Sequence, residues 1–244
     1  MRQIGWILGV ICLSGVSDGA VFANDMLDGV LNPSEVVSLS SEVAGVLDTI
    51  MIERGDRVLR GQVVARLKSS VQQLAVERAR ARLDFARRKA SRNDALYQRE
   101  MISAHDIDEM ETEILLAEIE LRDAQEHLDM RSLRSPVSGV VVARFLSAGE
   151  SVTDQPIVTV AQIHPLHVEV IVPVQKLGMI AKGQQAEVHP ELPLKGVYGG
   201  RVDIVDEVID AASGTFGVRI ILPNLAYQIP AGLKCRVRFL DLSP

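Results

Sequence analysis

His164 and His167 stand three residues apart in "IHPLHVEV", and two imidazoles this close could hold a zinc ion. The flanking residues alternate apolar and polar as on a strand, and on extended chain a spacing of three sends the two rings to opposite faces. No Cys or carboxylate triad accompanies them, so no metal site is expected there. The acidic run "DIDEMETE" (106–113) could attract calcium, but it lacks the Gly-containing ligand loop and falls in a heptad register, which makes it a solvated helical face. Lys68 could carry a prosthetic group only at a tight hairpin tip. It instead leads into a long helical stretch, without the Met-Lys-Met setting of a biotin acceptor. Cys235, in "GLKCRVRFL", alternates in phase with Leu233, Val237 and Phe239, which makes it a buried structural thiol rather than a nucleophile. No Ser/His/Asp, Cys/His or paired-carboxylate constellation stands out, and no phosphate loop. The expectation is a protein without catalysis and without a cofactor.

Bulk properties narrow the partners. The chain has 244 residues, 47% hydrophobic and only 4% aromatic, with a formal net charge of −6. Few aromatics argue against a base-stacking surface, and an acidic balance argues against phosphate contacts, so no nucleic acid is expected. The N-terminus reads as a secretion signal over residues 1–23: Arg2, an apolar run from Ile4 to Val16, and Val21-Phe22-Ala23 before a cut at Asn24. Ile11 stands where a lipoprotein would need a small residue before Cys12. An uncleaved anchor over residues 4–23 would bury Asp18 in lipid at roughly 2.5–3.5 kcal/mol. Cleavage removes Cys12, and the remaining Cys235 has no partner for an internal disulfide, so packing alone must hold the exported chain together.

The body of the chain is organised around an internal repeat. "SEVAGVLDTIMIERGDRVLRGQVV" (41–64) aligns without gaps on "SPVSGVVVARFLSAGESVTDQPIV" (135–158) at a constant offset of 94. Each copy is a short apolar strand, a Gly followed by an acidic residue (Gly55-Asp56, Gly149-Glu150), and a second strand. Two such halves are expected to pair across a pseudo-two-fold as one small β-sandwich. Between them the period changes. Val76, Ala79, Leu83, Ala86, Ala90, Asn93 and Tyr97 recur at steps of three and four, as do Ile107, Met110, Ile114, Ala117, Leu121, Ala124 and Leu128. Two unbroken a/d registers joined by a short link predict an antiparallel coiled-coil hairpin with arms at 71–100 and 105–130. The first arm carries eight basic and four acidic residues, the second one basic and ten acidic, so the arms favour each other over self-pairing. Ser70-x-x-Gln73 and Ser103-x-x-Asp106 are placed to start them as capping boxes.

After a connector with His164 and Pro165 come "LHVEVIVPV", a short helical stretch near "KLGMIAKG", and then "GRVDIVDEV", "TFGVRIILPN" and "GLKCRVRFL". Gly, Pro and Asn turns separate them, and the pattern predicts a small closed β-barrel. The fold class expected is mainly β with an inserted α-helical hairpin. Its segments are a signal peptide (1–23), a first β-half (33–68), the hairpin (69–132), a second β-half (133–162) and the barrel (163–241).

This order resembles the periplasmic adaptor proteins, also called membrane fusion proteins, the HlyD-like subunits of tripartite efflux pumps and type I secretion systems. The β-halves resemble a lipoyl-like barrel-sandwich hybrid, and "VIDAASGTFGVRIILPN…IPAGLKCRV" (208–237) is similar to the family's barrel segment. The resemblance implies a periplasmic protein associated with the inner membrane through its partners. Those would be an inner-membrane transporter of RND or ABC type and a TolC-type outer-membrane channel, with the adaptor itself a homo-oligomer, a hexamer or trimer of dimers, when assembled. Few residues remain outside these segments for a membrane-proximal domain, which is expected to be absent or vestigial. The alternative is a free-standing periplasmic coiled-coil scaffold or binding protein.

The two readings differ at the tip, "RNDALYQREMIS" (92–103). Arg92 falls at heptad position c and Leu96 at g, one helical turn apart on a shared face and outside the a/d seam, and Ser103 stands where an N-cap starts the second arm. The spacing R-x3-L-x6-S at a hairpin tip resembles the motif by which the family docks TolC-type channels. The resemblance implies Leu96 as an apolar knob, Arg92 as a donor to channel carboxylates or carbonyls, and Ser103 as helix cap and channel contact.

Overall fold

The computed structural model describes residues 26–97 and 101–240. The expected signal segment, residues 98–100 of the first arm and residue 241 lie outside them. The first elements are β1 (Leu27–Leu39), β2 (Gly45–Ile50), β3 (Arg57–Val58), β4 (Val63–Leu67), α1 (Ser70–Tyr97) and α2 (Ala104–Asp129). Next come β5 (Ser132–Arg134), β6 (Gly139–Arg144), β7 (Ser151–Val152) and β8 (Val158–Pro173). The chain ends with β9 (Gln185–Pro190), β10 (Tyr198–Val205), β11 (Thr215–Leu222) and β12 (Lys234–Phe239). Among the described residues no helix is long and apolar enough to cross a membrane.

Two long strands make the frame. β1 and β8 run antiparallel from Gly29↔Val170 to Leu39↔Val158, with an irregularity between Pro33 and Glu35. On one side of that irregularity they belong to a barrel, on the other to a sandwich. The barrel order is β1-β12-β9-β10-β11-β8, and β8 pairs back onto β1, so six strands close. Leu166, Val168, Val170 and Val172 point into it as their alternation predicts, with Leu31, Val188, Val218, Ile220 and Val237. Cys235 lies in the same core at 2% exposure, and burial, before the fields of Glu191 and Asp28, pushes its thiol up to about 11.

Around the barrel the structure departs from the sequence expectation in three ways. The sixth barrel strand is Leu27–Pro33, upstream of the 163–241 segment expected to form the barrel. The remaining strands alone would leave β12 and β8 as open edges, and β1 pairs with both. His164 and Pro165 lie inside β8 rather than in a connector. The helical stretch expected near residues 176–183 is a single 3-10 turn at Val174–Lys176, because Gly178 and Gly183 take positive φ and turn the chain.

The sandwich places β3-β6-β8-β1 over β5-β4-β2-β7 around Leu47, Val58, Val64, Val141, Val152 and Val160. The repeat explains its bonds one by one. Gly45↔Val152 and Val46↔Ser151 in one half correspond, 94 residues on, to Gly139↔Val58 and Val140↔Arg57 in the other. The Gly55 N–H donates to the Val141 carbonyl and the Gly149 N–H to the Leu47 carbonyl, at 2.9 and 2.8 Å. Leu47 N–H donates to Glu150 O, and Val141 N–H to Asp56 O, both at 2.9 Å. The side chains repeat too. The Ser41 and Ser135 hydroxyls donate to the carbonyls two residues on, and the Asp56 and Glu150 carboxylates accept from the N–H groups of Glu53 and Ser147. The acidic residue after each Gly therefore closes the turn that the Gly opens, at φ 96° and 93°.

The helices leave the sandwich between β4 and β5, which pair antiparallel with Ala65 opposite Leu133 and Arg66 opposite Ser132. Where two such strands could be joined by a tight turn, the chain runs out along α1 and back along α2. Ala79, Leu83 and Ala86 of α1 and Met110 and Ala117 of α2 are buried at their seam positions. Across it Arg82 pairs with Glu120, Arg87 with Glu118 and Lys89 with Glu113, at 2.9, 2.7 and 2.8 Å. The order of partners reverses along the chain, so the helices are antiparallel. Each exposed pair is worth roughly 0.2–1 kcal/mol, which sets the register more than it holds the hairpin. At the start of α1 the side chain that meets Gln73 is that of Ser69, at 3.3 Å, and not that of Ser70, which is already the first helical residue.

Candidate functional site at the hairpin tip

Arg92 is exposed on the outer turns of α1 and has no ion-pair partner among the described residues. Three cations nearer the β-domain differ: Arg82 and Lys89, at g positions, and Arg87, at an e position, are taken up by α2. Leu96 shares the g side with Arg82 and Lys89. It is half-buried rather than bare, as befits a g position that borders the seam. Its carbonyl accepts from the Met101 N–H at 3.0 Å, which brings the start of the second arm back beside the end of the first. Within the seam just below, Asn93 Nδ2 lies 3.3 Å from Met110 Sδ, a polar contact at a position that is otherwise apolar.

Ser103 is exposed, and its cap is complete. Its Oγ accepts from the Asp106 N–H at 3.3 Å, and the Asp106 carboxylate accepts from the Ser103 N–H and hydroxyl at 2.9 and 2.7 Å. The fold thus brings Arg92 and Leu96 together on one turn and sets Ser103 at the N-cap of α2, its oxygen already engaged. The hydroxyl bond from Ser103, followed by its backbone bond, holds the Asp106 carboxyl below the usual aspartate value of 3.8. A depressed carboxyl stabilises the fold above its unfolded pKa and loses that contribution as pH falls through the folded one. Backbone chemical shifts of residues 104–107 will therefore be more helical in the unsubstituted chain than in Asp106→Ala at neutral pH. The gap will close below the ordinary aspartate range, and a gap independent of pH would show that the ionised carboxylate does not hold the cap.

His164, a candidate ligand by its spacing from His167, serves the fold: its Nδ1 accepts from the Asn224 N–H at 3.0 Å. Sequence reading missed Asn224, a buried polar residue bonded to Ile163, His164 and Ile229, and also the stacking of Arg57 on Tyr227. Nothing in their local spacing marks them, since each has a partner far away in sequence.

A model of the CzcB-like barrel-sandwich hybrid domain matches residues 35–162, more than half of the chain and the whole stretch that holds both β-halves and the helices between them. The chain belongs to the periplasmic adaptor, or membrane fusion protein, family. It is 25% identical over 219 residues to the multidrug resistance protein MdtA of Escherichia coli, covering 80% of this chain and 53% of that protein. It is 22% identical over 228 residues to the antibiotic efflux pump periplasmic linker protein ArpA of Pseudomonas putida, covering 87% and 62%. The chain thus spans between half and two thirds of the lengths of these relatives. Its fold is similar to that of a MacA–MexA chimeric protein carrying the Pseudomonas aeruginosa MexA α-hairpin, with a TM-score of 0.73 at 18% identity and coverage of 89% and 79%. A solved structure from Bacteroides eggerthii gives 0.71 at 21%, with 88% and 68% covered. The adaptors of this family are structural linkers rather than catalysts.

Proposed function

We propose that this chain is a periplasmic adaptor bridging an inner-membrane transporter, of RND or ABC type, and a TolC-type outer-membrane channel, for efflux or secretion across the envelope. Residues 1–23 direct its export. The two arms work as an antiparallel coiled coil whose tip docks the channel through Arg92, Leu96 and Ser103, and the assembled adaptor is a homo-oligomer, a hexamer or trimer of dimers. The observation that carries this reading is the tip itself. A guanidinium with no ion-pair partner among the described residues and a half-buried Leu share one turn at the end of the hairpin remote from the sandwich, on a helix that gives three other cations, Arg82, Arg87 and Lys89, to α2. The role of ArpA as a periplasmic linker of an efflux pump points the same way.

A photo-crosslinking residue placed at position 94, exposed on the same helical turn, tests it in cells. The expected product is an adduct between the adaptor and an outer-membrane channel. A folded, periplasmic chain that gives no channel adduct would overturn docking and favour a free-standing periplasmic scaffold.

A further inference from the structure

Tyr227 is the one non-glycine among the described residues with positive φ, at 55°. A side chain in the left-handed region carries a steric penalty that Gly avoids, so a Tyr there signals that its ring is used. Its position is fixed by Asn224, which is 4% exposed. The Asn224 carbonyl accepts from the Tyr227 N–H at 3.0 Å. The Asn224 amide donates to the carbonyls of Ile163 and Ile229, its Oδ1 accepts from the Ile229 N–H, and its own N–H donates to His164 Nδ1. Ile163 and His164 are where β8 passes from its sandwich partners, ending at Gln162, to its barrel partners, beginning at Leu166. The loop between β11 and β12 is therefore knotted onto the domain crossing. From there it presents the Tyr227 ring to the sandwich, where Arg57 of β3 places its guanidinium carbon 4.8 Å from the ring centroid.

We propose that Arg57 and Tyr227 are positioning residues that clasp the barrel to the sandwich and hold the angle between them. The two shared strands, β1 and β8, form only a ribbon at the crossing, with an irregularity between Pro33 and Glu35. A ribbon bends about one axis, and the clasp lies off it, bridging β3 to a barrel loop. The two β-domains then move as one body, and bending of the molecule is left to the root of the hairpin. This inference does not depend on which partners the adaptor joins.

Spin labels at Asp154→Cys in the sandwich and Glu207→Cys in the barrel, both exposed positions, report the angle in the full chain carrying Cys12→Ser. Cys235 is buried with its thiol raised to about 11 and does not compete for label. The unsubstituted pair is expected to show one narrow distance distribution. Arg57→Ala and Tyr227→Gly will each raise the population at other distances about two- to fivefold, the scale of an exposed cation–π contact. Arg57→Lys and Tyr227→Phe will keep the distribution narrow. Tyr227→Gly also relieves the left-handed backbone, so its melting temperature will not fall, which separates loss of the clasp from loss of the fold. Distributions of Arg57→Ala or Tyr227→Gly that overlay the unsubstituted one would overturn the proposal, as would equal broadening in all four variants.

Discussion

The double substitution Arg92→Asp, Leu96→Asp will abolish channel binding and export while the β-domains and most of the hairpin stay folded. The seam that holds the arms together is carried by Ala79, Leu83, Ala86, Met110 and Ala117, none of which is touched. Arg92 is exposed and unpaired among the described residues, so reversing its charge removes no intramolecular contact there. Against a partner offering carboxylates or carbonyls the same change turns a fork of donors into a repelled anion. Truncating one buried interface anchor commonly costs about 2 kcal/mol or more, roughly thirtyfold in affinity, and inserting a carboxylate where an apolar knob enters a groove costs further. Leu96 is half-buried, so its Asp variant will also loosen the last turn of α1. Arg92→Asp alone is the cleaner probe and should weaken binding strongly with unchanged helicity. Unimpaired transport by the double variant would end the docking proposal and leave the hairpin as a spacer.

Gly139→Ala will be among the most destabilising single-atom-scale changes available in this chain, and its repeat twin Gly45→Ala will be milder. A Cβ at Gly139 would lie 2.2 Å from the Ala161 carbonyl oxygen and 2.8 Å from its carbon, backbone atoms of the central strand β8. That strand belongs to both β-domains and cannot retreat without disturbing both ladders. A cost at or above the top of the usual overpacking range, about 3 kcal/mol, is expected. At Gly45 the nearest atoms are Leu67 Cδ2 at 2.7 Å and an Arg131 guanidinium nitrogen at 2.8 Å, both the ends of side chains rather than backbone. About 1–2 kcal/mol is expected there, at the lower end of the same range. Denaturant midpoints of the two variants provide the comparison. Equal losses would show that the two halves of the sandwich resist intrusion alike, contrary to this geometry.

The contrast between the twin glycines shows where sequence and tertiary structure part. The sequence alone determined the repeat at offset 94, the turns at Gly55 and Gly149, the seam residues and the tip at 92–103. All of these are read from periodicity, and periodicity reports burial that each segment requires on its own account. That Gly45 and Gly139 are equivalent in the repeat was legible; that one faces side chains and the other a backbone was not. Likewise the alternation of Leu166 to Val172 shows that β8 has an inner face, but not that the strand serves two domains, or that Leu27–Pro33 completes the barrel. Strand partners are chosen across more than a hundred residues, by edges that must be closed and not by any local pattern. Leu96 is half-buried for the same kind of reason. The heptad places it beside the seam, and only the return of the chain at the tip, marked by the Met101 bond to its carbonyl, decides how much of it stays exposed. Asn224, Tyr227 and Arg57 were decided wholly by tertiary structure, because a knot between a loop, a domain crossing and a neighbouring sheet leaves no period in the chain.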